Sequence, residues 1–219
     1  MPQGTEGSNP SLSASPSLRF AELRTASKFM YEEIEIRVVL KDPVAARSKL
    51  REAAKFIKER VQKDEYFVPR DEDFFAARKP DKWFRVRHEE GADSLNFSFC
   101  HFDGEEKLLQ TDEYESGIEN PAAVSEILQK VGMIKKAEVV KKRSYFEYHD
   151  YEITIDEVQN LGTLMEVELK RPAAASIPEE KQKCYAALSE LGIDWEEAPK
   201  MGYPTMILKN IHVANYRSN

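Results

Sequence analysis

Apolar and charged positions alternate along most of the chain after residue 28. Over residues 31–40, Ile34, Ile36, Val38 and Leu40 share one parity and Glu33, Glu35 and Arg37 the other, which is the pattern of a half-buried β-strand. Comparable segments at 66–68, 83–89, 94–102, 107–115, 138–148, 151–158 and 164–170 bring the predicted strands to eight. Three stretches keep a helical period instead. Asp42 and Pro43 supply an N-cap and a first helical residue, and Val44, Leu50, Ile57 and Val61 form an apolar stripe that predicts a helix to about residue 62. Asn120 and Pro121 open a second helix with Val124, Ile127, Leu128 and Val131 inward and Gly132 as its stop. Ser176 and Glu179 form a capping box for a third, with Cys184, Leu188 and Leu191 inward and Gly192 at its end. Residues 202–208, Tyr203 among them, read as packing. The fold class is α+β, with no internal repeat.

Residues 1–28 are dominated by Ser, Pro, Gly and Thr without a steady apolar period, and predict a mobile tail ahead of one domain over 29–219. No run approaches the roughly 20 apolar residues of a bilayer span, so no membrane partner is expected. The two cysteines, Cys100 and Cys184, make no disulfide framework or zinc-finger spacing and fit a reducing cytoplasm, which is the expected location. With 32 Lys and Arg against 39 Asp and Glu, the net charge of −7 argues against broad binding to a nucleic-acid backbone. The four histidines make no i, i+4 metal pair, and there is no Gly-rich phosphate loop. Trp83 and Trp195 read first as packing residues.

Charge is concentrated on one parity of strand after strand. Arg85, Arg87 and Glu89 oppose Phe84 and Val86, Lys141 pairs in parity with Arg143, Glu152 and Thr154 with Asp156, and Glu166 and Glu168 with Lys170. A sheet with one wet face explains any single strand, its charges pairing across strands for a fraction of a kcal/mol each. Repeated over many strands, with amphipathic helices that need an apolar surface to cover, the pattern points to a sheet closed on a charged interior. Such an interior brings carboxylates at Glu33, Glu35, Asp156, Glu166 and Glu168 together with Arg37, Arg85, Arg87, Lys141 and Arg143. Hard oxygen donors suit Mg2+ or Mn2+, and guanidinium and ammonium groups suit phosphate oxygens. Mutual salt bridges are the structural alternative.

These residues fall into motifs in order. Glu33-Ile34-Glu35-Ile36-Arg37 resembles the E-x-E-x-K signature of the CYTH superfamily of triphosphate tunnel enzymes, with Arg in place of Lys. Gln62-Lys63-Asp64-Glu65-Tyr66-Phe67 is similar to the Q-x-D-x-Y-F of its class IV adenylyl cyclase-like branch, and Phe84-Arg85-Val86-Arg87 to its L-R-x-R. Val140-Lys141-Lys142-Arg143 resembles E-K-x-R, and Asp156 to Glu168 resembles D-x-V-x-x-L-G-x-F-x-E-x-E. Order and spacing agree over residues 29 to about 213, and five motifs in order are specific where E-x-E-x-K alone is not.

The resemblance implies a closed eight-stranded antiparallel β-barrel, a tunnel with helices packed outside, binding a triphosphate end-on with Mg2+ or Mn2+. It implies Glu33, Glu35 and Glu166 as metal ligands with Asp156 and Glu168 beside them, Arg85, Arg87, Lys141 and Arg143 as phosphate contacts, and Glu35 and Arg37 as catalytic groups. The implied reaction is adenylyl cyclase chemistry, ATP to cyclic AMP and pyrophosphate; hydrolysis of inorganic or thiamine triphosphate, and phosphate-ligand binding without turnover, stay open, as does a homodimer. Three positions depart from the pattern. Arg37 replaces lysine, Ser98 stands where L-T-x-K has its lysine, and Thr111 stands where R-x-E-x-E has its arginine. Lys107 or Lys170 could compensate for the lost charge.

Overall fold

A computed structural model describes residues 34–213 apart from 78, 103, 105–107 and 172, with the backbone alone at 108–110. The tail predicted at 1–28, Glu33 and Lys107 lie outside the described residues. The elements run β1 (Glu35–Leu40), α1 (Pro43–Ala53), β2 (Lys55–Val68), β3 (Lys82–His88), β4 (Ser94–Phe102), β5 (Leu108–Gly117), α2 (Pro121–Lys130), β6 (Ile134–Tyr148), β7 (Tyr151–Val158), β8 (Gly162–Leu169), α3 (Ile177–Glu190), β9 (Trp195–Glu197) and α4 (Tyr203–Leu208). All described strands belong to one antiparallel sheet in the order β5-β4-β3-β2-β6-β7-β8-β1-β9.

The expected closed, eight-stranded barrel is therefore corrected to an open, nine-stranded sheet. A ninth strand takes part of the edge that closure would use. β9 pairs with Val38, Val39 and Leu40 on the outer edge of β1, an edge that closure against β5 would require. Three residues, two of them Glu, carry no period from which a strand can be read.

The first helix is also shorter than its stripe suggests. It ends at Ala53, Ala54 turns extended (φ −122°, ψ 157°), and β2 pairs with β6 from Lys55 to Val68. Only Ala46 and Leu50 of α1 are buried, while Val44, Ile57 and Val61 are exposed. A long cross-strand ladder satisfies the backbone over 55–68 and outweighs a helical spacing that four apolar residues merely permit. In α2 the inward residue is Ser125, and Ile127 and Val131 are exposed, contrary to the predicted stripe. Glu65 on β2 accepts from the Ser125 hydroxyl and lies 3.1 Å from Lys63 Nζ, 3.1 Å from His88 Nε2 and 3.2 Å from Lys135 Nζ, so a polar anchor holds this helix to the sheet.

Two apolar clusters lie on opposite faces of the sheet. On the outer face, Ile36, Val38 and Leu40 of β1 pack with Ile153, Ile155, Met165 and Val167 against Leu50 of α1 and Cys184 and Leu188 of α3. Asp42 Oδ1 accepts from the amides of Val44 and Ala45 at 3.1 and 2.9 Å, and the Ser176–Glu179 capping box starts α3 as its sequence predicts. On the inner face, Val39, Tyr66, Val139, Val158 and Leu164 pack under Tyr203 and Met206 of α4. Val39 and Leu164 are register partners, and the next pair along the same face is Arg37 and Glu166. Charge thus begins one step beyond the apolar cluster.

Candidate functional site

The inner face carries a cavity of about 440 Å³. Its lining runs from Glu35 and Arg37 on β1 to Glu113 on β5, strands that stand far apart in the sheet order, so the open sheet wraps around it. Five cationic side chains line it: Arg37, Arg85, Arg87, Lys141 and Arg143. Carboxylates at Glu35, Asp64, Glu113 and Glu166 share the wall. The strand period explains the gathering. Asp64 lies opposite Arg87, Arg143 opposite Asp156 and Arg37 opposite Glu166, and directly opposed residues of an antiparallel pair share a face.

Opposite charges pair along most of the wall. Arg87 holds Asp64 with two bonds of 2.7 Å, from Nε to Oδ1 and from Nη2 to Oδ2. Arg143 Nε donates to Asp156 Oδ1 at 2.6 Å and Nη2 to Glu166 Oε2 at 2.6 Å, while Arg37 Nε donates to Glu166 Oε1 at 2.7 Å. Lys141 Nζ lies 3.3 Å from Asp156 Oδ2. A buried charge left alone would cost several kcal/mol, and this connected pairing keeps the guanidinium groups fixed without removing them from the cavity. Burial pushes Asp64 and Asp156 upward, but Arg87 on the first and Arg143 with Lys141 on the second outweigh it and hold both carboxyls below the usual range. Glu166 is lowered in the same way, burial being overcome by Arg37 and Arg143. Burial with the neighbouring Arg143 charge prevails over Asp156 at Lys141 and brings its ammonium down to about 8.

The structure brings Glu35, Arg37, Arg85, Arg87, Lys141, Arg143 and Glu166 together on the cavity wall. Asp156 lies behind it, held by Arg143, Lys141 and Tyr203. Glu168, the register partner of Glu35, does not line the cavity, and its Oε1 lies 2.9 Å from Lys170 Nζ. Ser98 and Glu113 line the cavity, while Thr111 is exposed beside Cys100 and does not. Tyr203, which reads as packing in the sequence, is part of the site. Its hydroxyl donates to Asp156 Oδ2 at 2.8 Å and is 3.4 Å from Glu166 Oε1, and its ring centroid lies 4.8 Å from the Arg37 guanidinium and 5.1 Å from Lys141 Nζ. Asp64 was not among the expected site residues, although the acid of the Q-x-D-x-Y-F segment could have marked it. Tyr203 had no motif to mark it, because a six-residue helix after the last long strand is placed by tertiary contacts alone.

Among the described residues, no group of three or more His, Cys, Asp or Glu is arranged to hold a metal ion. Glu35 and Glu166 nonetheless line the cavity with the cations. Mg2+ is commonly held by one or two carboxylates with substrate phosphates completing its octahedron, so this donor set fits an ion that arrives with a phosphate and does not provide an all-protein cage.

A one-face cluster of arginine, lysine and carboxylate thus lines the cavity of an open antiparallel sheet. The chain belongs to the CYTH domain family, whose pattern matches residues 32–201. A Methanocaldococcus jannaschii protein provisionally named an adenylate cyclase is 32% identical over 138 residues, 62% of this chain and 75% of that protein. A solved Pyrococcus horikoshii protein is 25% identical over 80% of this chain and 98% of its own, with a TM-score of 0.60. A Hippeastrum protein provisionally named an adenylyl cyclase and described as having a dominant triphosphatase activity shares the fold, with 18% identity over 82% of this chain and 97% of its own and a TM-score of 0.60. Enzymes of this family bind triphosphates and generally depend on a divalent metal. No described helix is long and apolar enough to cross a membrane.

Proposed function

We propose that the protein is a divalent-metal-dependent enzyme that cleaves an organic triphosphate held end-on in the inner-face cavity. The observation that carries this reading is the set of five cationic side chains in one cavity, four of them arginines whose geometry suits phosphate oxygens. Arg85, Arg87, Lys141 and Arg143 bind the phosphate chain, and Arg37 orients its reacting end. Asp64, Asp156 and Glu166 hold these cations in place, so little reorganisation accompanies binding. Glu35 and Glu166 are the carboxylates that would hold Mg2+ or Mn2+, which neutralises charge on the transferring and leaving phosphate oxygens. Asp156 positions Lys141 and Arg143 from behind, and Glu168 stands outside the cavity wall.

Adenylyl cyclase chemistry is the first reading, supported by the name of the Methanocaldococcus relative. In that case a ribose hydroxyl attacks the α-phosphorus of ATP and pyrophosphate leaves. The description of the Hippeastrum protein favours a second, in which water attacks and phosphate is released. Incubation with ATP, tripolyphosphate and thiamine triphosphate in Mg2+ or Mn2+, with products separated by chromatography, distinguishes them. Cyclic AMP with pyrophosphate supports the cyclase, phosphate alone the triphosphatase, and saturable binding without any product removes the enzyme reading. Glu35→Gln is expected to abolish metal-dependent turnover in a folded protein, and an unchanged rate at limiting metal contradicts the metal assignment.

A further inference from the structure

Behind the cavity wall, β3, β4 and β5 turn an aromatic face outward. β4 buries its polar parity, Ser94, Asn96 and Ser98, and leaves Leu95, Phe97 and Phe99 half-exposed, the reverse of the usual order. Hydrogen bonds satisfy the buried side: Asn96 directs its amide NH2 to Glu113 Oε1 at 3.1 Å, and Ser98 Oγ donates to Asn96 Oδ1 at 3.1 Å. On the outer face, Phe84, Phe97 and Tyr114 stand in one cross-strand row, with neighbouring ring centroids 6.1 and 6.4 Å apart. Val86, Leu95 and Ser116 form the row on one side of it, and Lys82, Phe99 and Asp112 the row on the other. α1, α2 and α3 pack on β1, β2, β3, β6 and β8, and Phe84, Leu95, Phe97, Phe99 and Tyr114 belong to neither of the two apolar clusters. Tyr114 is 64% exposed. A contiguous aromatic patch on one face of a sheet marks an interaction surface.

We infer that this face is an interface between two copies of the chain, packed sheet on sheet about a two-fold axis parallel to β4. Such an axis preserves position along the strands and lays β3 of each copy over β5 of the other. Phe97 then meets the partner's Phe97, Phe84 meets the partner's Tyr114, and Lys82 meets the partner's Asp112. The aromatic row closes on itself, and the one cation of the three rows faces the one anion. A two-fold axis across the strands would instead set Lys82 over the partner's Val86 and Asp112 over the partner's Ser116, matching neither charge. Lys82 also holds Glu72, and His101 Nε2 lies 2.9 Å from Asp112 Oδ2, so the pair between copies fixes register more than it adds strength. Asp112, with Glu113 and Glu115 on the same strand, disfavours a nucleic acid or an anionic lipid surface here. Three strands make an interface near the small end of stable ones, so dissociation is expected in the micromolar range. The interface is independent of what the cavity binds.

Sedimentation velocity on the full chain, followed from low to high micromolar concentration, tests this. The unaltered protein is expected to pass from monomer to dimer. Phe97→Arg sets two like charges against each other on the axis and is expected to stay monomeric with its unfolding midpoint retained. Tyr114→Arg, at an exposed position, serves the same purpose should Phe97→Arg fail to fold. Lys82→Asp is expected to weaken dimerisation roughly fivefold or more, since the charge pair occurs twice across the axis, and adding Asp112→Lys to restore it. A monomer at every concentration, a dimer that persists in a folded arginine variant, or failure of the double variant to recover overturns the inference.

Discussion

Tyr203 on α4 donates its hydroxyl hydrogen to Asp156 on β7 at 2.8 Å, joining the last described helix to the carboxylate that holds Lys141 and Arg143. Burial, with Glu166 and Asp156 close by, raises the phenol well above its ordinary value, so it remains a donor throughout the physiological range. Asp156 and Glu166 in turn keep three cavity cations, Arg37, Lys141 and Arg143, and this phenol in a single network. The helix is thereby part of the site's electrostatics as well as its roof.

Tyr203→Phe keeps the ring over Arg37 and Lys141 but removes the donor. Loss of a hydrogen bond to a buried carboxylate is expected to cost about 1.5 to 3 kcal/mol, read as a lowered midpoint in thermal or urea unfolding. Triphosphate affinity should weaken less than stability does, since no phosphate contact is removed. An unchanged midpoint contradicts the role given to this bond.

Lys141 gives the site a pH dependence with a definite sign. Its pKa in the folded protein is about 8, below the ordinary 10.5, so protonated Lys141 opposes folding; the penalty is complete below pH 8 and is relieved as pH rises towards 10.5. Binding runs the other way, because the cavity loses one cation as pH passes 8. Tripolyphosphate affinity, followed by calorimetry from pH 7 to 9.5, is expected to fall roughly tenfold relative to a Lys141→Arg protein, whose guanidinium keeps its charge. Parallel curves for the two proteins contradict the shifted ammonium.

Gly202 is required by proximity. A Cβ there would lie 2.8 Å from Trp83 Cη2 and 3.1 Å from Cζ3, and the Trp83 ring is itself packed edge-on against Tyr66 and Phe75, with centroids 6.3 and 5.6 Å away. At φ −70° the backbone has no need of glycine. Gly202→Ala is therefore expected to destabilise by overpacking, about 1 to 3 kcal/mol, and to shift the Trp83 fluorescence by displacing its ring. A variant with unaltered emission and stability would show that α4 does not sit against Trp83.

Much of the site was legible because a strand's period is short and strict. Once Arg85 and Arg87, Lys141 and Arg143, or Glu35 and Arg37 are read as strand residues, parity places each pair on one face, and the sheet gathers the pairs. Ser94–Phe102 and Tyr151–Val158 are strands over the residues their alternation predicts. The helical period over 43–62 was less reliable, since apolar residues seven apart fit a helix without excluding a strand, and the ladder with β6 decided the matter. Closure could not be read at all. It depends on which strand reaches the outer edge of β1, and the three residues of β9 that take that edge have no pattern of their own. Tyr203 and Asn96 were missed for a related reason: their roles come from the partners that the fold brings to them.

The central claim is that the cationic face of the cavity binds a triphosphate, and Arg85 tests it most directly. Its Nε is buried without a hydrogen-bond partner, and its Nη1 lies 3.7 Å from Asp64, which Arg87 already holds, so its removal leaves the network standing. Calorimetric titration of tripolyphosphate with Mg2+ into the unaltered protein and into Arg85→Gln, with unfolding midpoints measured alongside, gives the answer. One saturable site, weakened about tenfold or more in a variant whose midpoint is retained, is the predicted result. Absence of binding to the unaltered protein, or equal affinity in the two, would contradict it.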